Sequence, residues 1–225
     1  MRVAKNTGKT RSSLLIFDFD GTIADTFPLL VEINNRLHKK LGTDPINPME
    51  EKELKDSPFE KWLKIIEVPF YKAPFFISTL KTEIRSSIST AKPFEGLPQV
   101  LRQLKKNGCE LGIVTTDTKE AVKKFLKTYN LEVFAFVESC NFFIGKTPVI
   151  KKLLRKKKFL LDHVLYFGDT TRDVQEAHKA GIEVAAVTWG YNSKKLLEGC
   201  KPDYILETPS AILDLPYITR SDIVG

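Results

Sequence analysis

Short, uninterrupted runs of apolar residues recur along the chain. The first covers residues 14–17 and is followed directly by Asp18, and a weaker run covers residues 204–206. Runs this short, without alternating polar residues, are typical of strands buried on both faces of a parallel sheet. Four further runs of the same kind lie between these two, at residues 111–114, 133–137, 164–167 and 184–187.

Amphipathic segments separate these runs. Residues 99–106, 119–129 and 173–180 place apolar side chains three or four positions apart, and Pro148 begins a further segment of this kind. Gly181 directly follows one of them, where glycine suits a left-handed helix cap. Because strand runs alternate with helical segments, the sequence predicts an α/β fold with a doubly wound parallel sheet.

One region breaks this alternation. Residues 28–92 carry apolar side chains at helical spacing, and Pro93 marks the return to the sheet. The pattern predicts a helical cap at 28–92, inserted into a core formed by 1–27 and 93–225. Five aromatic residues stand out in the cap, and we expect most of them to form its core, with one or two as candidates to face the site: Trp62, Phe70, Tyr71, Phe75 and Phe76.

The composition fits an ordinary globular protein. The chain has 225 residues, 42% hydrophobic and 28% charged, and no apolar run reaches the roughly 18 residues of a membrane span. The basic first residues lack the apolar stretch of a secretory signal, and we interpret them as a lead-in to the first strand. Three widely spaced cysteines argue against a disulfide framework or a zinc site and favour a reducing, cytoplasmic compartment.

The net charge of +7 suits anionic partners but does not identify one. The densest basic patch lies at residues 151–158. Because no aromatic side chains interleave with these charges, a solvated helix end is favoured over a nucleic-acid surface. We therefore expect neither nucleic acid nor a membrane as a partner.

Polar residues that can carry chemistry follow the predicted strands. In open α/β sheets, ligands bind at the carboxyl ends of the strands. Four carboxylates gathered at one edge would repel one another, and a hard divalent cation such as Mg²⁺ relieves that repulsion through oxygen ligands. The residues that the topology brings to this edge are Asp18, Asp20, Thr115, Lys146, Asp169 and Asp173.

The motifs that these residues form resemble those of the haloacid dehalogenase superfamily. Asp18-x-Asp20-Gly21-Thr22, directly after an apolar run, is similar to the first motif. Thr115 after Gly112-Ile113-Val114, then Lys146, then Gly168-Asp169-x-x-x-Asp173, are similar to the second, third and fourth. The resemblance covers nearly the whole chain after Ser13. Residues 187–191 and 202–204, and the place of the insert, resemble the phosphoglycolate phosphatase-like branch.

The resemblance implies a magnesium-dependent phosphatase. Asp18 would attack phosphorus and become a phospho-aspartate, and Asp20 would act as general acid and then general base. The Asp18 carboxylate, the Asp20 backbone carbonyl and Asp169 would bind Mg²⁺, while Asp173 would hold a metal-bound water or orient Lys146. Lys146 and Thr115 would bind the phosphate. An aspartate at position 20 favours phosphoryl transfer over dehalogenation.

Two of the motifs depart from the usual pattern and leave alternatives open. Thr116 is the alternative to Thr115, and Lys151 and Lys152 are the alternatives to Lys146. Asp117 is an unusual neighbour for a phosphate, and we expect it to point away. A further residue, Arg172, is equally suited to substrate contact and to an ion pair.

We expect the substrate to be a small phosphorylated metabolite such as phosphoglycolate or a sugar phosphate, and the protein to be a monomer or homodimer. One alternative is a sugar phosphomutase of the same superfamily, which shares all four motifs. A catalytically silent regulatory module is a second, although its mark would be a lost Asp18 or Asp20, and both are present. The net charge motivates a third, a nucleic-acid end phosphatase.

Overall fold

The computed structural model describes residues 13–157 and 160–218, so the predicted lead-in at 1–13 lies outside the described residues except for Ser13. No helix within these ranges has both the length and the apolar character needed to cross a membrane. The strands are β1 (Leu14–Phe17), β2 (Ala24–Asp25), β3 (Lys92–Pro93), β4 (Glu110–Thr115), β5 (Phe136–Ser139), β6 (Val164–Gly168), β7 (Glu183–Val187) and β8 (Tyr204–Leu206).

Six of these strands form one parallel sheet in the order β5-β4-β1-β6-β7-β8. The predicted α/β class and doubly wound parallel sheet are confirmed. The run predicted at 133–137 is displaced, because the Val133 N–H donates to the Leu131 carbonyl (2.8 Å) in a turn, and β5 begins only at Phe136. The strand order reverses at β1, which has β4 on one side and β6 on the other.

Both faces of the sheet are buried, which explains the uninterrupted apolar runs. Successive side chains of a strand point to opposite faces. Leu15 and Phe17 of β1 belong to one buried cluster, whereas Leu14 and Ile16 belong to the other. A strand covered on both faces carries no polar side, so its sequence shows no alternation.

Helices cover both faces and fill the region between β2 and β3. The amphipathic segments predicted from sequence are helical, with ends shifted by one or two residues where caps decide them. Thr170, for example, caps the helix predicted to begin at 173, and Gly181 ends it with a φ of 83°. The helices are α1 (Phe27–Leu41), α2 (Pro48–Lys55), α3 (Phe59–Ile65), α4 (Ala73–Ser86), α5 (Leu97–Lys106), α6 (Lys119–Thr128), α7 (Thr147–Lys157), α8 (Thr171–Ala180) and α9 (Lys194–Glu198).

The short antiparallel pair β2–β3 joins the two ends of the α1–α4 region. Ala24 lies opposite Pro93, and Asp25 lies opposite Lys92. Two-residue strands are too short to show a period, so the sequence did not predict this pair. The division into a core and a cap at 28–92 stays a prediction.

Candidate active site

The carboxyl ends of β1 and β6 lie side by side where the strand order reverses. Asp18 follows β1, and its backbone N–H donates to the carbonyl of Phe167 in β6 (2.8 Å). Asp169 follows β6, and Asp173 lies in the first turn of α8. These three aspartates are buried, and each offers a carboxylate oxygen within 4.8 Å of the others. This edge is where open α/β sheets bind ligands.

Lys146 brings positive charge to this cluster. Its Nζ atom lies 2.6 Å from Asp18 Oδ2, 2.6 Å from Asp173 Oδ1 and 2.9 Å from the Tyr166 hydroxyl oxygen. Its backbone N–H donates to the Glu176 carboxylate, which fixes the start of α7 against α8. Burial alone would lower the pKa of Lys146, but Asp173 and Asp18 reverse this and raise it, so the lysine stays charged.

One lysine does not balance three buried aspartates. Burial, and then the charges of Asp173 and Asp18, raise the pKa of Asp169 well above its ordinary value. Burial raises the pKa of Asp18 to about 6, against the opposing effect of Lys146. Burial also opposes ionisation of Asp173, but Lys146 outweighs it and lowers the pKa of that carboxyl. This surplus of buried negative charge, on oxygen ligands alone, fits a hard divalent cation.

Segments that follow β1 and β7 hold Asp169 in place. Thr22 Oγ1 donates to Asp169 Oδ1 (2.7 Å), and the Tyr191 N–H donates to Oδ2 (2.8 Å). Gly21 has a φ of 72°, and a Cβ atom there would lie 2.0 Å from Asp169 Oδ2. Only glycine therefore fits this position of the first motif.

The Asp20 carboxyl group holds its proton more tightly than an ordinary carboxyl group. Burial, and then the negative charge of Asp117, raise the pKa of Asp20 to about 8. Thr26 Oγ1 donates to Asp20 Oδ1 (3.0 Å) and lies 2.9 Å from the Tyr191 hydroxyl, which fixes the carboxyl group. Asp18 and Asp20 line the same cavity, so a carboxylate and a carboxylic acid face one space.

The end of β4 presents Thr116, rather than Thr115, to that cavity. Thr115 is fully buried, and its Oγ1 accepts from the Asp117 N–H (3.0 Å). Thr116 lines the cavity, and its Oγ1 accepts from Lys81 Nζ (2.6 Å). The expectation that Asp117 points away is wrong, because its side chain also lines the cavity. Arg85 Nε binds Asp117 Oδ1 (3.0 Å), and this cation from α4 makes the extra acid tolerable.

The structure brings Lys146, and not its alternatives, to the carboxylates. Lys151 and Lys152 are exposed on α7. Arg172 lines the cavity, but its Nε atom lies 2.7 Å from Glu176 Oε1. Its charge is therefore already engaged in the ion pair that the sequence left open.

The two cations of α4 were not found by sequence analysis. Lys81 and Arg85 are one turn apart and directly follow Leu80 and Ile84, which belong to the apolar face. The sequence signal that could have indicated them is a basic residue next to each of two core positions of the helix. Such residues usually face solvent, so the signal is weak. Tyr166 was also missed, because its sequence context does not separate a site tyrosine from a core tyrosine.

A cavity of about 160 Å³ extends from these groups into the α1–α4 region. Most of its lining is apolar. Side chains from all four of these helices contribute, among them Leu30, Leu54, Trp62, Ile66, Phe76 and Leu80.

The aromatic residues of this region divide into two groups. Trp62 and Phe76 are buried and line the cavity. Phe70, Tyr71 and Phe75 are 90%, 79% and 55% exposed, so the expectation that most of the five form a cap core is wrong. They lie in the turn before α4 and in its first turn, where the described helices leave them uncovered.

Known proteins resemble this chain in sequence and in fold. The family model that matches residues 15–187 describes a haloacid dehalogenase-like hydrolase. A phosphoglycolate phosphatase from Synechococcus elongatus is 28% identical over 200 residues, which cover 88% of this chain and 94% of the relative. The pyrophosphatase PpaX from Bacillus mycoides is 26% identical over 216 residues, which cover 92% of this chain and 96% of the relative.

The fold has a solved counterpart. A haloacid dehalogenase-like family hydrolase from Streptococcus pneumoniae has a TM-score of 0.63 and 20% identity, over 90% of this chain and 97% of that chain. The matched family model spans more than half of the 225 residues and includes all four motifs. The chain therefore belongs to the haloacid dehalogenase-like hydrolase family, as an enzyme of the phosphatase type.

Proposed function

We propose that the protein hydrolyses a small phosphate monoester, in a magnesium-dependent reaction, through a phospho-aspartate at Asp18. The observation that carries the proposal is the cavity shared by Asp18 and Asp20. Their pKa values of about 6 and about 8 make the first a carboxylate and the second a carboxylic acid at neutral pH. Two carboxyl groups with separated pKa values divide the roles of nucleophile and acid.

The reaction has two steps. In the first, an Asp18 carboxylate oxygen forms a bond to phosphorus as the bond from phosphorus to the alcohol oxygen breaks. Asp20 gives its proton to that oxygen, so the alcohol leaves uncharged. In the second step, water attacks phosphorus and its proton passes to Asp20, while the bond between Asp18 and phosphorus breaks and inorganic phosphate leaves.

Lys146 and Thr116 are the proposed phosphate contacts. Both line the cavity that contains Asp18, and an ammonium and a hydroxyl group can each donate to phosphate oxygens. We prefer Thr116 to Thr115, because Thr115 lies outside the cavity lining. Asp173 orients Lys146 through their 2.6 Å contact.

We propose the Asp18 carboxylate, the Asp20 backbone carbonyl and Asp169 as ligands of Mg²⁺, with Asp173 close enough to hold a metal-bound water. The proximity of the three buried carboxylates supports the carboxylate members of this set. When bound, the cation would offset the repulsion between the carboxylate nucleophile and the phosphate dianion. Thr22 would keep Asp169 aimed at the site through its hydrogen bond (2.7 Å).

We also propose that residues 28–92 act as a cap over a core formed by 1–27 and 93–225. Contacts at the edge of the site support this arrangement. The Ser193 N–H donates to the Lys55 carbonyl (2.9 Å), and Lys81 binds Thr116. A cap in this place would exclude water and reach the leaving group.

The cysteines support a reducing, cytoplasmic compartment. Cys109, Cys140 and Cys200 are all free thiols in the structure. Burial raises the pKa of Cys140 to about 11, so this thiol stays protonated and unreactive. Free, protonated thiols are usual where disulfides do not form.

The relatives supply the first substrates to assay. One is named a phosphoglycolate phosphatase and another a pyrophosphatase, and the sequence adds sugar phosphates. The test is release of inorganic phosphate from a panel of these compounds, with Mg²⁺ and then with excess EDTA. Asp18→Asn is the test variant, and Asp25→Asn, whose side chain does not line the cavity, is its matched control.

We expect magnesium-dependent release by the wild type and by Asp25→Asn, and none by Asp18→Asn. Turnover by folded Asp18→Asn would refute the covalent mechanism. An isomerised sugar phosphate in place of inorganic phosphate would identify a phosphomutase instead.

A further inference from the structure

The cavity beyond Asp20 is an apolar compartment. It is lined by side chains such as Leu54, Ile66 and Leu80, each less than a tenth exposed. Asn34 also lines it, but Asn34 Nδ2 donates to the Asp44 carbonyl (3.1 Å) and Asn34 Oδ1 accepts from Thr43 (3.2 Å). Both ends of the Asn34 amide are therefore engaged in the local turn, so Asn34 does not present a free polar group to the compartment.

The charged groups of the lining contact one another, and one carboxylate oxygen among the described residues, Asp117 Oδ2, is buried without a hydrogen-bond partner. Lys146 lies between two aspartates, and Arg172 pairs with Glu176. Lys81 donates to Thr116 and lies near Asp20 and Asp117. A second anionic group on the substrate would have to compete for Lys81 beside two acids. One hydroxyl group of a sugar could donate to Asp117 Oδ2, but its other hydroxyl groups would be buried against apolar side chains. Both arrangements carry a desolvation cost.

The size of the compartment limits what fills it. The whole cavity, which includes the space beside Asp18 and Lys146, has a volume of about 160 Å³, and the compartment is a part of it. An apolar cavity of roughly 150 Å³, lined by Leu, Ile and Phe, stays dry and binds benzene. Because the phosphate also occupies part of this volume, the compartment holds at most one aromatic ring or a branched alkyl group of similar size.

We propose that the alcohol of the substrate carries such a compact apolar group, which fills the compartment while the phosphate lies between Asp18 and Lys146. This inference rests on the proposed phosphatase function, and it names the substrate class within it. The alcohol would be uncharged and close to benzyl alcohol in size, in contrast to glycolate or a sugar.

The test compares substrates with similar leaving groups. Benzyl phosphate, 2-hydroxyethyl phosphate and phosphoglycolate are all primary alkyl esters, so differences in kcat/KM report on the rest of the alcohol. Apolar pockets discriminate by roughly 10–200-fold per methylene group. We therefore expect benzyl phosphate to exceed 2-hydroxyethyl phosphate in kcat/KM by at least about 100-fold.

A matched pair of variants tests the compartment itself. Ile77 lines the cavity and Ile65 does not, although both are half-buried residues of the same helical region. Ile77→Phe should shrink the compartment and lower kcat/KM for benzyl phosphate at least about tenfold, with 2-hydroxyethyl phosphate little affected. Ile65→Phe should leave the ratio between the two substrates unchanged.

Calorimetry separates this inference from the proposed function. The probes are the two non-hydrolysable phosphonates in which a methylene group replaces the bridging oxygen of benzyl phosphate and of 2-hydroxyethyl phosphate. If the benzyl analogue binds more tightly, and Ile77→Phe weakens this binding while Ile65→Phe does not, the compartment is supported. That holds even if no ester is hydrolysed, because the absence of hydrolysis would refute only the phosphatase proposal. Equal binding of the two analogues, or turnover of phosphoglycolate or 2-hydroxyethyl phosphate as fast as of benzyl phosphate, overturns the inference.

Discussion

Replacement of Lys146 by methionine removes the charge at the centre of the carboxylate cluster and keeps most of the side-chain volume. The Lys146 Nζ atom makes 2.6 Å contacts with both Asp18 and Asp173, and all three residues are buried. In the variant these carboxylates face each other without a cation. The charge of Lys146 also lowers the pKa of Asp18, so its loss raises the pKa of the proposed nucleophile.

The expected cost in the free energy of unfolding follows from this burial. Loss of one partner from a buried ion pair costs about 3–5 kcal/mol, because the remaining charge is left uncompensated. For a chain of this size, each kcal/mol lowers Tm by about 2–4 °C, so the variant should melt about 6–20 °C lower. Loss of one preorganised donor to the transition state should lower kcat by at least about 100-fold.

Thermal unfolding at pH 7, with and without Mg²⁺, measures the first effect. Lys151→Met is the matched control, because Lys151 is exposed on α7 and an exposed substitution changes stability by less than about 0.5 kcal/mol. We expect Mg²⁺ to raise the Tm of Lys146→Met more than that of the wild type, since a bound cation replaces part of the lost charge. Equal Tm values for the two variants would refute the central place given to Lys146.

Three further predictions concern the proton, the metal and the nucleophile. The profile of kcat/KM against pH should fall above about 8, because Asp20 must hold its proton. Asp117→Asn removes a negative charge that raises the pKa of Asp20, so it should move this fall to lower pH. If the fall does not move, Asp20 is not the acid. Asp169→Asn should weaken Mg²⁺ binding in calorimetry, whereas the exposed control Asp214→Asn should not. Asp18→Asn should abolish the phosphoenzyme seen by intact-mass spectrometry while Tm stays near the wild-type value or above it, because the amide needs no countercharge.

Much of the core could be predicted because its signals are local. An uninterrupted apolar run such as residues 14–17 has one physical cause, burial on both faces, and the sheet around β1 supplies it. The gathering of Asp18, Asp169 and Asp173 could be predicted as well. The carboxyl ends of parallel strands meet at one edge, whatever separates them along the chain.

The other details of the site depend on contacts between distant segments. Thr115 and Thr116 are neighbours in sequence, but Thr115 is buried and accepts from the Asp117 N–H, whereas Thr116 lines the cavity. Asp117 is tolerated because Arg85 reaches it from α4, some thirty positions earlier in the chain. No pattern within either segment reports that pairing, so the sequence favoured the wrong orientation of Asp117.

The difference between local and distant contacts also limits what the activities of the relatives indicate about the substrate of this chain. The four motifs lie on the sheet edge, and they hold the groups that would act on the phosphate, which every phosphate monoester shares. The proposed alcohol would be contacted by the α1–α4 region, through side chains such as Leu54, Trp62 and Leu80. An identity of 28% over 88% of the chain can therefore preserve the first set while the second changes. The chemistry follows from the family, whereas the substrate follows from the lining of this one cavity.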